Sequence, residues 1–198
     1  MHNENMRRFA SEFQILIRKG YPVFLLMTGL YDQIYAIQND PANTFLLRTP
    51  KVTADALSMF QITKQYSRIF KLQEDDARML SGITKGYAFA FQALGMLYYE
   101  YHDREKLDDI LSRLDELLDD FVYKKVWEDL SGQERRIVLA IGDESARVKD
   151  ICTELEITSS VFSTYRLRLI RKGILQSPQY GFVALTLPRF CSIARNYV

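Results

Sequence analysis

Residues Val23 to Met27 read Val-Phe-Leu-Leu-Met, apolar throughout and without alternation. A strand of that kind hides both of its faces, as in a parallel sheet covered by helices. Parallel neighbours have to be reached through crossovers, and this chain offers few of them. Only Phe45 to Leu47 and Lys51 to Thr53 suggest further strands, and both runs are short. Before Pro22, Met6, Phe9, Phe13 and Ile17 recur at helical spacing, and Gly20 ends the pattern. Residues 1–55 are therefore expected to form part of an α/β layer, with one helix and a strand or two.

From Ser58 onward the periodicity is helical. Ser58 and Gln61 have capping-box spacing before a helix that runs to about Phe70. "EDDARMLSGITKG" carries acids in its first turn and Gly86 as its stop. "YAFAFQALGMLYYEY" is apolar nearly all round, which predicts a central, buried helix. Residues 104–130 predict one long amphipathic helix with Leu107, Ile110, Leu111, Leu114, Leu117 and Leu118 on its inner face. Its acids, Asp108, Asp109, Asp115, Glu116, Asp119 and Asp120, are expected on the solvated side.

Ser131 and Glu134 form a second capping-box pair. "SGQERRIVLAIGD", "VKDICTEL" and "TSSVFSTYRLRLIRKG" predict three helices, and "ILQSPQYGFVALTL" a hairpin with Pro and Gly in its turn. Three helices followed by a hairpin is the order of a winged helix-turn-helix. The fold class expected is mainly α (α+β). It divides into a partial α/β core (1–55), a helical lid (56–130) and a winged helix-turn-helix domain (131–198).

Several stretches, in order, resemble the C-terminal half of a P-loop ATPase of the AAA+/STAND type. "PVFLLMTGL" resembles the strand that ends in the sensor 1 polar residue, here Thr28. "FLLRTPKVTADALSMFQITKQY" is similar to the passage from the nucleotide core into the lid. "ARMLSGITKGYAFAFQALG" is similar to the lid helices around the sensor 2 region, and Leu130 to Leu187 to the winged helix behind the lid. The resemblance implies nucleotide-sensor roles for Thr28, Arg48, Lys85 and Gly86. Ala88 stands where the STAND pattern has the proline of Gly-x-Pro, which departs from the family. ATP and Mg²⁺ would be the cofactors of an intact parent enzyme.

This chain contains no "GxxxxGK[ST]"; "GITKGYA" fails on spacing. Phosphoryl transfer needs backbone amides and a lysine around the phosphates and a carboxylate for Mg²⁺. The expectation is a sequence that starts after the Walker B strand, binds no cofactor itself and is no enzyme. Three of the four sensor-like residues also have a plain structural reading: Thr28 in a turn, Arg48 in a surface ion pair, Gly86 as a helix stop.

On the third helix of the last domain, Val161, Phe162, Tyr165 and Leu169 share a stripe that should pack inward. Ser160, Ser163, Thr164 and Arg171 then face out, with Arg166, Arg168 and Lys172 on the flanks. From Ser131 to Val198, ten Lys and Arg stand against six Asp and Glu, a local balance of +4. Arginines suit phosphate contacts and short hydroxyls suit base edges, so these seven residues are the candidate DNA-binding set. A protein-docking role of the same surface is the alternative. The function expected is a regulatory C-terminal portion of an ATP-dependent switch, or a winged-helix DNA-binding regulator or interaction module.

Other chemistry is poorly served. The whole 198-residue chain has a net charge of only +1. His2 and His102 have no nucleophile or metal partner by motif. Cys152 and Cys191 fit no metal or redox spacing and read as thiols of a reducing compartment. The opening "MHNENMRRF" has no signal-peptide run, and no apolar stretch nears the ~18–20 residues of a membrane span. A cytoplasmic location without membrane contact is expected. An unpaired apolar strand invites pairing, so assembly through residues 1–50 is expected as well.

Overall fold

The computed structural model describes residues 2–29, 31–52 and 54–198. The chain is mainly helical and divides into two compact units, Met1–Ala54 and Asp55–Val198.

The first unit holds α1 (His2–Arg18), α2 (Tyr31–Gln38) and a 3₁₀ segment, Pro41–Arg48. Arg7 of α1 pairs with Asp40 before the 3₁₀ segment. Ala10 and Leu46 are its buried apolar residues among those described. The strands expected here are absent among the described residues. Val23 to Met27 has no ladder, and Phe24 and Leu26 are 90% and 80% exposed. Phe45 to Leu47 belongs to the 3₁₀ segment. Lys51 and Val52 are irregular, and Thr53 lies outside the described residues. The reason is hydrogen bonding: an apolar run becomes a strand only where another strand takes its backbone groups. Here the first amide of the run, that of Val23, is bonded to the carbonyl of Tyr21, two residues back.

The second unit begins with α3 (Met59–Phe70), α4 (Glu74–Thr84), α5 (Ala88–Tyr101) and α6 (Leu107–Leu118). Ser58 flanks α3 in extended conformation but makes no side-chain cap bond. The apolar α5 buries Ala90, Ala93, Leu94 and Leu97, but it is not buried all round as expected: Met96 and Tyr99 are exposed. Tyr66 of α3 donates its hydroxyl to the carbonyl of Phe91 at 2.7 Å, and burial pushes that phenol's pKa up. The long helix is interrupted. After α6 a π turn, Asp119–Tyr123, inserts before α7 (Lys124–Glu128). The extra residue of a π turn shifts the helical phase, and Tyr123 and Trp127 both end up buried.

The remaining elements are α8 (Gly132–Ile141), β1 (Ala146–Arg147), α9 (Val148–Glu154), α10 (Ser159–Arg171), β2 (Leu175–Gln176), β3 (Phe182–Leu185), α11 (Phe190–Ala194) and a 3₁₀ segment, Arg195–Tyr197. The three strands form an antiparallel sheet in the order β1-β3-β2, with Ala146 opposite Val183 and Leu175 opposite Leu185. One apolar core runs through the whole second unit, from Ile62 through Leu114 and Ile137 to Phe190.

Candidate nucleic-acid interface

The outer face of α10 is set by its cap and its core residues. Thr158 caps the helix, its hydroxyl accepting from the amide of Val161 at 3.3 Å. Phe162 and Leu169 are fully buried, which fixes the rotation of the helix. Ser160, Ser163, Thr164, Leu167, Arg168 and Arg171 are consequently exposed. Val161 differs from expectation: it is 43% exposed, because α10 is anchored by Phe162 and Leu169 alone, with Tyr165 half-buried beside them.

Two of the hydroxyls on this face are already engaged. Ser163 donates to the carbonyl of Ser159 at 2.8 Å, and Thr164 to that of Ser160 at 3.3 Å. They face solvent with free acceptor capacity and their methyl or methylene groups. The guanidinium of Arg168 lies 5.5 Å above the ring of Tyr165, within cation–π range.

Two of the expected cationic residues are withdrawn from the surface. Lys172 donates to the buried Glu134 carboxylate at 3.0 Å and to the carbonyl of Asp129 at 3.2 Å, leaving its side chain 26% exposed. Arg166 is half-buried, and its Nε is enclosed without a hydrogen-bond partner among the described residues. The physical reason for the first is Glu134. Its Oε2 accepts from the Ser131 amide, its Oε1 is buried without a hydrogen-bond partner among the described residues, and a buried charge demands a counter-charge. Burial raises the Glu134 pKa, but the Ser131 amide and Lys172 outweigh it and the net direction is down.

Beyond α10, β2 and β3 carry a turn of residues 177–181, closed by Gly181 at φ +77°. Tyr180 in that turn is fully exposed. On the opposite edge of β3, Arg147 of β1 sets its guanidinium 5.5 Å above the ring of Phe182.

The sensor-like residues are divided between the two units. Thr28 is exposed in the irregular stretch after Met27, and Arg48 is exposed at the end of the 3₁₀ segment. Lys85 and Gly86 belong to the second unit and are used by the fold. Gly86 has φ +76°, and a Cβ on it would meet the carbonyl oxygen of Leu57 at 2.7 Å. Lys85 donates to the carbonyls of Asp143 at 2.5 Å and Leu185 at 3.4 Å. Its burial lowers its pKa, against the opposing pull of Asp143 and Glu144.

Sequence reasoning missed the polar junction that Lys85 enters. Asp143 accepts from the amides of Cys191 and Ser192 at 3.0 and 2.9 Å, and so holds the start of α11. Arg189, at φ +58°, forks onto Asp115, with Nη2 2.6 Å from Oδ2. Tyr123 donates to the carbonyl of Pro188 at 2.6 Å. Tyr197 donates to Asp119. Asp115 and Asp119 are thus structural rather than merely solvated, which only the fold's long-range pairing reveals.

Clefts open among the described residues of the second unit. One, of about 280 Å³, is lined by Asp76, Met79, Tyr98, His102 and Glu105. His102 there stacks on Tyr98, ring centroids 5.0 Å apart. Another, of about 540 Å³, lies between α9 and α10 beside Lys149, Cys152 and Thr158. No three His, Cys, Asp or Glu side chains are grouped to hold a metal among the described residues. No helix among them is long and apolar enough to cross a membrane.

Residues 120–192 match the model of a family described as a domain of unknown function (DUF8462). No curated protein matches the chain. The matched segment runs from the π turn to the start of α11, and its two ends meet: the rings of Tyr123 and Phe190 pack edge-on with centroids 4.9 Å apart.

Proposed function

We propose that the chain is the regulatory, non-catalytic C-terminal portion of an AAA+/STAND-like switch, and that α10 and the turn of residues 177–181 form a winged helix that contacts duplex DNA. The observation that carries the DNA reading is the outer face of α10. Ser160, Ser163, Thr164, Arg168 and Arg171 stand exposed on one helix, next in the chain to a turn that bears the fully exposed Tyr180. Arginines there neutralise phosphates, and short polar groups fit base edges in a major groove. The switch reading is supported by Lys85, whose bonds to Asp143 and Leu185 couple the α4–α5 turn to the elements around β3. A shift of that turn would be felt by the sheet that carries the wing. Assembly through residues 1–50 belongs to the same reading.

The test is fluorescence anisotropy with a mixed-sequence duplex at about 50 mM salt, where phosphate contacts are strong. Binding that weakens steeply with added salt supports the DNA contact. No binding at that salt moves the face to the alternative, protein docking, which the exposed Val161 and Leu167 would then serve. Calorimetry with ATP and Mg²⁺ tests the other half. With no phosphate loop in the sequence, neither hydrolysis nor micromolar binding is expected, and a micromolar constant would overturn the non-catalytic reading.

A further inference from the structure

We infer that Leu167 is a specificity residue that reads the 5-methyl group of thymine in a major groove; the inference rests on the DNA reading of α10. Ser160, Thr164, Leu167 and Arg171 are spaced i, i+4, i+7 and i+11 and form one stripe along α10. All four are exposed. Leu167 sits inside that stripe, 56% exposed, flanked along it by a threonine and an arginine. It does no core work: Phe162 and Leu169 hold the helix.

The hydroxyls nearest to it on this face, those of Ser163 and Thr164, are poor donors to a base. The hydroxyl protons of Ser163 and Thr164 are committed to the carbonyls of Ser159 and Ser160. What the middle of the face offers is therefore apolar carbon from Leu167 and the Thr164 methyl, edged by acceptor oxygens. In the major groove the one apolar group on any base pair is the thymine methyl. The arginines supply affinity on any sequence, and the leucine supplies a preference.

Two duplex polymers that differ only in that methyl, poly(dA-dT) and poly(dA-dU), test this directly. At one fixed low salt, the full chain should bind poly(dA-dT) about fourfold tighter or better, the effect of burying a single methyl. Leu167→Ala should erase the difference and leave affinity for poly(dA-dU) within about twofold of the parent. Leu167→Met, which keeps an apolar side chain of similar volume, should retain most of it. Equal binding of both polymers by the parent overturns the methyl reading while DNA contact stands. A preference that survives in Leu167→Ala overturns the assignment to Leu167. Failure to bind either polymer or a mixed-sequence duplex overturns this inference together with the DNA reading beneath it.

Discussion

The ammonium group of Lys85 donates to the backbone carbonyl of Asp143 at 2.5 Å and also stands 3.4 Å from the carbonyl of Leu185. One side chain from the end of α4 thereby satisfies carbonyls on the α8–β1 loop and at the end of β3. Lys85→Met keeps the apolar stem and leaves those carbonyls short of a donor. A loss of about 2 kcal/mol is expected, in the range for hydrogen bonds to a charged group. Urea denaturation of the full chain checks it, and an unchanged midpoint would mean that water serves those carbonyls equally well.

Gly86 and Gly82, four residues apart on and after α4, should respond to alanine with opposite signs. At Gly86 the added Cβ would meet the Leu57 oxygen at 2.7 Å, in a residue held at φ +76°. The left-handed backbone alone costs about 1–2 kcal/mol for an L side chain, and the backbone clash adds to it. At Gly82, inside the helix, nothing lies within 4 Å of the new Cβ. Gly82→Ala should therefore stabilise by about 0.5–1 kcal/mol through helix propensity. Thermal unfolding of the two variants side by side gives the comparison.

Much of this architecture is legible in the sequence, and apart from the Ser58 cap, which makes no side-chain bond, the failures share one cause. The Ser131–Glu134 capping box forms with both of its bonds. The helices ending at Thr84 and Tyr101, the three helices from Gly132 and the β2–β3 hairpin all follow local signals of periodicity and glycine. What failed depends on partners distant in sequence. Val23 to Met27 is strand-like in composition, but no second strand takes its backbone. The π turn at Asp119–Tyr123 adjusts helical phase so that Tyr123 can reach Pro188, a relation that no window of the sequence contains. Lys172 looked like a free cation because Glu134, its partner, lies 38 residues away. On α10, the hydroxyl stripe was legible while the exposure of Val161 was not, since it depends on how far the helix sinks on Phe162 and Leu169.

Glu134 should make stability depend on acid pH. Its folded-state pKa lies below the ordinary carboxylate value, so the folded chain holds that proton less tightly than the unfolded chain. The resulting stability is complete above the unfolded value, about 4.3, and is lost as pH falls through the lower, folded value. Glu134→Gln preserves a capping-box residue but removes the charge that pairs with Lys172. It should cost about 1 kcal/mol at neutral pH and give a flatter acid limb than the parent. Denaturation midpoints measured from about pH 6 to pH 3 decide it, and parallel limbs would show that other carboxyls carry the acid sensitivity.

Arg168 and Arg171 should contribute to DNA binding through phosphate. Each phosphate contact contributes a slope of about 0.9 to the logarithmic dependence of affinity on salt. Replacing both with alanine should lower that slope by about two units and weaken all duplex sequences alike. Lys172→Ala should leave the slope unchanged, because its ammonium is held by Glu134 and Asp129. Slopes from anisotropy titrations at several salt concentrations separate the arginine pair from Lys172, and a slope unmoved by the double change would place the DNA on another face.

The first unit presents its apolar surface outward. Phe24 is 90% exposed and Leu26 80%. Val52 is 95% exposed, and Phe9, Ile15 and Ile17 on α1 are each about half exposed. Isolated apolar residues are common on surfaces, but a run with unpaired backbone is a template for association. The backbone of this run has no ladder partner among the described residues. Assembly through residues 1–50 is expected, with the mass from light scattering at high concentration exceeding that of the 23.1 kDa chain. Phe24→Lys with Leu26→Lys should return it to a monomer, because like charges on alternate residues of an edge repel a second copy of the same strand, at little cost to Ala10 and Leu46, which are buried already. A parent chain that is monomeric at every concentration would refute the assembly. A doubly charged variant that associates as well as the parent would move the interface off the Tyr21 to Met27 stretch and onto α1.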